Sequence, residues 1–190
     1  MASTSSTPPN QCKKWDVFIS FRGDDMRYGI ISHLSKSLKD KQIKTFTDEG
    51  LHKGEEISPE LLKIIRESSV SIVIFSENYA DSPWCLDELV EILKCKEESG
   101  QIVLPVFYKV DSTEVQKLTG SFKEAFDIAV REEKDSPQKA DNWKRGLMEV
   151  SNLSGWDLQN MKLITLYCSF SKFFNLRKEN QNIETLNRVH

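Results

Sequence analysis

Val70-Ser71-Ile72-Val73-Ile74-Phe75, followed at once by Ser76-Glu77-Asn78-Tyr79-Ala80-Asp81-Ser82-Pro83-Trp84-Cys85-Leu86-Asp87-Glu88-Leu89, carries the clearest strand-to-helix signal in the chain. The first six residues read as a buried strand. Ser82 suits an N-cap and Pro83 the first helical position. The helix's apolar stripe is Leu86, Leu89, Val90 and Leu93. Trp84 and Glu88 are one turn apart and are predicted on the opposite face. That pair, at the carboxyl end of a strand, fits a ligand platform. It also fits a solvated glutamate beside a tryptophan covered by a neighbouring loop.

Strands and helices alternate on both sides of this segment. Trp15 to Phe21 is a dense apolar run, and Ile30, Ile31, Leu34 and Leu38 recur at helical spacing. Ile43 to Thr47 alternates as an outer strand does, and Ser58-Pro59-Glu60 starts a helix carrying Leu61, Leu62, Ile64 and Ile65. Ile102 to Phe107 is a second central strand, although Pro105 lacks a ladder donor and predicts a bulge or poor pairing on one side. Helices are expected over 113–133 and 138–153, and a short strand over Gly155-Trp156-Asp157-Leu158. Such alternation predicts an α/β fold, a parallel sheet covered on both faces. Ligands in such sheets bind outside the carboxyl ends of the strands. Three polar segments fall there: Arg22 to Asp25, Asp48 to Glu55, and Ser76 to Glu88.

The ends read differently. Residues 1–14 are rich in Ser, Thr and Pro and are expected to be disordered. Leu163, Leu166, Tyr167, Phe170, Phe173 and Phe174 form a stripe, either docked on the sheet or lying in a membrane interface. The run is too short, with two lysines, to span a bilayer. Residues 177–190 are polar and expected to fray.

Composition excludes several classes. With 26 Lys+Arg against 29 Asp+Glu the 190 residues carry a net charge of −3, unlike a nucleic-acid-binding footprint. Four unclustered cysteines and no secretory segment point to a reducing compartment, hence a cytoplasmic or nucleocytoplasmic protein. No G-x-G-x-x-G, Walker A or G-x-S-x-G motif occurs. His33, His52 and His190 show no metal-ligand spacing, so no metal is expected.

Trp15-Asp16-Val17-Phe18-Ile19-Ser20-Phe21-Arg22-Gly23, with Asp25 and Arg27, resembles the opening of a plant TIR (Toll/interleukin-1 receptor) domain. Lys53-Gly54-Glu55-Glu56-Ile57, Ser76 through Leu89, Leu104-Pro105-Val106-Phe107-Tyr108 and Asn152-Leu153-Ser154-Gly155-Trp156 match the family in order. The resemblance covers residues 15–160. It implies a flavodoxin-like, doubly wound sheet of five parallel strands in the order 2-1-3-4-5, with helices on both faces. It also implies plant immune and cell-death signalling, and hydrolysis of NAD to nicotinamide and ADP-ribose or its cyclic variants. NAD would be the substrate, with no cofactor. The family's catalytic glutamate falls on Glu88, its neighbouring tryptophan on Trp84, and its first-strand Arg-Gly on Arg22 and Gly23. A basic residue of the family's flexible loop falls on Lys53. Ser32 and His33 preserve a pair used in TIR–TIR contacts, which implies TIR domains as partners and leaves a non-catalytic adaptor as the alternative.

The chain departs from the family at Asp24 and Met26, where Glu and Thr are usual, and at Asp111-Ser112-Thr113, where Asp-Pro-Ser is common. Gly29 is expected to weaken the first helix by roughly 1 kcal/mol. The resemblance lapses after Leu158, making residues 161–190 a divergent helix and polar tail. A TIR-only or truncated disease-resistance-type protein is therefore expected.

Overall fold

The computed structural model describes residues 13–23, 26–47, 58–133, 137–159 and 161–188, with side chains through 180. The expected disorder over residues 1–14 falls almost wholly outside them, as do Asp24, Asp25, Lys53 and the 48–57 loop.

Five parallel strands form one sheet in the order β2-β1-β3-β4-β5. They are β1 (Trp15–Phe21), β2 (Thr45–Thr47), β3 (Ser68–Phe75), β4 (Ile102–Phe107) and β5 (Trp156–Asp157). Each central strand alternates between two apolar faces, as the pleat requires. Val17, Ile19, Val70, Ile72, Ile74, Leu104 and Val106 point to one face, packing with α1 (Ser32–Asp40) and α7 (Leu163–Arg188). Phe18, Val73, Phe75, Val103 and Phe107 point to the other. That face is covered by α2 (Pro59–Arg66), α3 (Pro83–Ser99), α4 (Ser112–Lys117), α5 (Gly120–Glu132) and α6 (Pro137–Ser151).

The element order follows the sequence expectation, with instructive differences. Pro105 causes no bulge: β3 and β4 stay in register from Val70↔Ile102 to Phe75↔Phe107. Tyr108 N–H donates to Phe75 O on one side of β4, and Phe107 O accepts from Leu158 N–H on the other. Since N–H and C=O groups swap sides at each residue, Pro105 turns its missing donor toward β5, whose pairing begins only opposite Val106. The helix expected over 113–133 is two, α4 and α5, because Leu118 (φ 49°) and Gly120 (φ 59°) take left-handed conformations. Gly29 does more than weaken a helix. It takes φ −103° and ψ −108° inside a π-helical turn, Arg27–Ile31, that precedes α1. The stripe on α7 docks on the sheet, with Leu166, Phe170 and Phe174 buried, and the helix continues to Arg188, past the point where fraying was expected. No helix among the described residues is long and apolar enough to cross a membrane.

Candidate functional site

Helix α3 begins where Ser82 Oγ accepts the Cys85 backbone N–H at 3.3 Å, with Pro83 at its first turn. Two adjoining rows of α3 are buried, not one. Leu86, Leu89 and Leu93 form the expected stripe, and Cys85, Glu88, Ile92 and Cys95 form a second. The prediction that Glu88 and Trp84 lie away from the core is therefore corrected. Glu88 is 3% exposed, and Trp84 is half-buried against the core under α3. The helix is flanked by α2 and α6 as well as by the sheet, so most of its circumference is covered.

A buried carboxyl group needs polar partners. Ser20 Oγ, near the end of β1, donates to Glu88 Oε2 at 2.6 Å. The Tyr79 hydroxyl lies 2.9 Å from Ser20 Oγ and donates to Cys85 O at 3.0 Å. Burial, then the neighbouring Cys85 and Glu88, push the Tyr79 hydroxyl well above its usual range, so it keeps its proton at neutral pH. Burial and then Glu88 push the Cys85 thiol up as well. Cys85 Sγ contacts Phe21 O at 3.5 Å.

Just past β1, Arg22 Nε donates to Asp81 Oδ1 at 2.7 Å. Tyr79 and Asp81 belong to one 3₁₀ turn, Tyr79–Asp81. That turn thus holds β1 twice, at Ser20 and at Arg22. Gly23 has φ +98°, and nothing among the described residues lies within 4 Å of a Cβ placed there, so it is the backbone conformation that calls for glycine. Trp84 Nε1 is buried with no hydrogen-bond partner among the described residues.

Two neighbouring acids among the described residues, Asp81 and Asp87, are committed elsewhere. Asp81 pairs with Arg22. Asp87 accepts from Trp143 Nε1 at 2.7 Å and pairs with Lys139 at 3.1 Å. Glu88 is the acid that the hydroxyl pair serves. The described residues hold no group of three or more His, Cys, Asp and Glu able to bind a metal.

The sequence-predicted residues therefore divide. Glu88, Trp84, Arg22 and Gly23 come from segments that meet at the carboxyl ends of β1 and β3. Ser32 and His33 sit on α1, across the sheet from α3, and are exposed. Ser32 Oγ donates to Gly29 O at 2.9 Å. His33 lines an open groove of about 430 Å³ with Lys36, Ser37, Asp40, Lys41 and Tyr167. Ser20, Tyr79 and Asp81 escaped sequence reading. A lone serine inside the apolar run of β1 was the available signal, because buried hydroxyls are seldom unpaired.

A family profile described as the TIR domain matches residues 14–165. The disease resistance protein RPV1 of Vitis rotundifolia is 48% identical over 159 residues, covering 83% of this chain and 11% of that protein. RUN1, a disease resistance protein of the same species, is 50% identical over 149 residues, covering 77% of this chain and 11% of its own length. The chain thus spans about a tenth of the curated relatives it matches. Among solved structures, the TIR domains of the activated Roq1 resistosome, which directly recognises the pathogen effector XopQ, superpose with a TM-score of 0.76. They are 41% identical, over 83% of this chain and 98% of that one. With this profile match, these relatives and this fold, the chain belongs to the TIR domain family, and its close homologues are plant disease resistance proteins.

Proposed function

We propose that this chain is an NAD glycohydrolase of plant immune signalling, working in the cytoplasm, that cleaves the bond between nicotinamide and ribose. The observation that carries the reading is Glu88, a carboxyl group held by a hydroxyl pair where β1 and β3 end. Breaking the glycosidic bond leaves positive charge on the ribose ring. Nicotinamide departs as a neutral molecule, so the second carboxyl group of ordinary glycosidases is not required. This suits a site where the described neighbours Asp81 and Asp87 are already paired. Glu88 stabilises the oxocarbenium-like state, an interaction that strengthens as charge develops. Trp84 supplies an aromatic wall, and Arg22, which also holds Asp81, and Lys53 supply cations for phosphate or nicotinamide-side contacts. The product is ADP-ribose or a cyclic variant, and the products carry the signal.

Nicotinamide release by the purified protein tests this reading. Replacing Glu88 with Ala is expected to lower kcat by roughly 10²–10³, about 3–4 kcal/mol of barrier. Equal turnover by the two proteins rejects it.

A second reading, a TIR adaptor, is favoured by the exposed Ser32 and His33 beside the groove of α1 and α7, and by the resistosome setting of the Roq1 TIR domains. Light scattering over a concentration series, alone and with a second TIR domain, addresses it. A persistent monomer with no mixed complex counts against assembly through this face.

A further inference from the structure

We propose that Ser20 is a positioning residue for Glu88, and that Tyr79 in turn holds Ser20, so that the carboxyl group keeps one orientation. This rests on the reading of Glu88 as the acting acid and names what aims it. The three contacts run in series: Tyr79 to Cys85 O at 3.0 Å, Tyr79 to Ser20 at 2.9 Å, and Ser20 to Glu88 at 2.6 Å. Ser20 and Tyr79 are 1% and 0% exposed, so water does not replace either hydroxyl.

Proton counting shows how the series works. Two hydroxyl groups supply two protons for three contacts. When Glu88 is ionised, Ser20 donates to the carboxylate, and the Tyr79 proton is divided between Ser20 Oγ and Cys85 O. When Glu88 is protonated, the order can reverse: Glu88 donates to Ser20, Ser20 to Tyr79, and Tyr79 to Cys85 O. Both states stay satisfied, but the bond to the charged carboxylate is the stronger. Tyr79 and Cys85, the titratable neighbours on the turn and on α3, both keep their protons at neutral pH. The Arg22–Asp81 pair beyond Cys85 contributes the opposed charges. Ser20 thus favours the ionised form and fixes the direction of Oε2.

The test uses the full chain, labelled with ¹³C at the glutamate carboxyl carbons. The Glu88 signal is assigned by its loss in Glu88→Gln, then titrated in wild type, Ser20→Ala, Ser20→Thr and Tyr79→Phe. Nicotinamide release is measured in parallel across pH. Ser20→Ala is expected to move the Glu88 midpoint upward and to lower kcat about 10- to 100-fold, by analogy with the loss of groups that orient metal ligands. KM should change little. Ser20→Thr restores the midpoint, and Tyr79→Phe shifts it by less. An unchanged midpoint in folded Ser20→Ala overturns the positioning role, whatever the turnover. If wild type releases no more nicotinamide than Glu88→Gln while the midpoint still moves, the hydrolase reading falls and the positioning of the carboxyl group stands.

Discussion

Cys95 lies buried on α3, four residues from Glu91. Burial, and then that carboxylate, push its thiol up to about 11 from an ordinary value of 9.0. The folded state therefore holds this proton more tightly than the unfolded chain does. The sign follows: its contribution to stability is fully present below pH 9.0 and is lost as pH rises through about 11. Urea unfolding midpoints should fall across that window, and should fall less steeply in Cys95→Ala. Parallel curves for the two proteins defeat the assignment. The same row explains what single-residue reading misses. Cys85, Ile92 and Cys95 are apolar enough to be core, yet Glu88 among them makes the row look solvated. Its burial and its contact with Ser20, distant in sequence, reveal a buried acid. Glu88 became a candidate because a sequence resemblance pointed to it, whereas its contact with Ser20, and through Ser20 with Tyr79, depends on a meeting that no local pattern encodes.

At the scale of elements, strands and capped helices were legible, because their signals are local. Ser58 and Ser82 cap α2 and α3 as their positions suggest, accepting from Leu61 N–H and Cys85 N–H. The break between α4 and α5 was less so, since Leu118 in a left-handed conformation runs against its own preference. Pro105 illustrates a harder case, where accommodation lies on a different element. A Cβ on Gly155 would stand 2.4 Å from Pro105 O and 2.7 Å from its ring. The proline thus fits at the edge of its pairing because the segment entering β5 has no side chain to collide with it. Gly155→Ala must push β5 away from β4, and overpacking of this kind costs about 1–3 kcal/mol. Chemical denaturation should show that loss. Because the nearest atom is a main-chain oxygen that Pro105→Ala leaves in place, the double variant Gly155→Ala, Pro105→Ala should recover only the part of the loss due to the ring, and a Gly155→Ala protein as stable as the parent refutes the collision.

At the scale of the molecule, the two faces of the sheet are covered by different means. Among the described residues, five helices build the face holding Glu88, whereas α1, the turn before it and α7 cover the other. The family profile match ends at residue 165, at the start of α7, and the stripe along that helix shields Leu104, Val106 and Trp156 from water. Phe170 is the centre of that cover: it is 1% exposed, and its ring lies 4.6 Å from that of Trp156. Helical periodicity alone could place Phe170 and Phe173 in one stripe, but not rank them, because the rank depends on where the sheet lies. Phe173 is only half-buried and meets Phe174 edge to face. Phe170→Ala should therefore cost about 3–5 kcal/mol. At about 2–4 °C per kcal/mol for a chain of this size, its melting temperature should drop by roughly 6–20 °C. Phe173→Ala should lose much less. Thermal unfolding followed by tryptophan fluorescence compares the two directly. Equal losses would mean that α7 does not cover the sheet through this face, and that Leu104, Val106 and Trp156 are shielded in some other way.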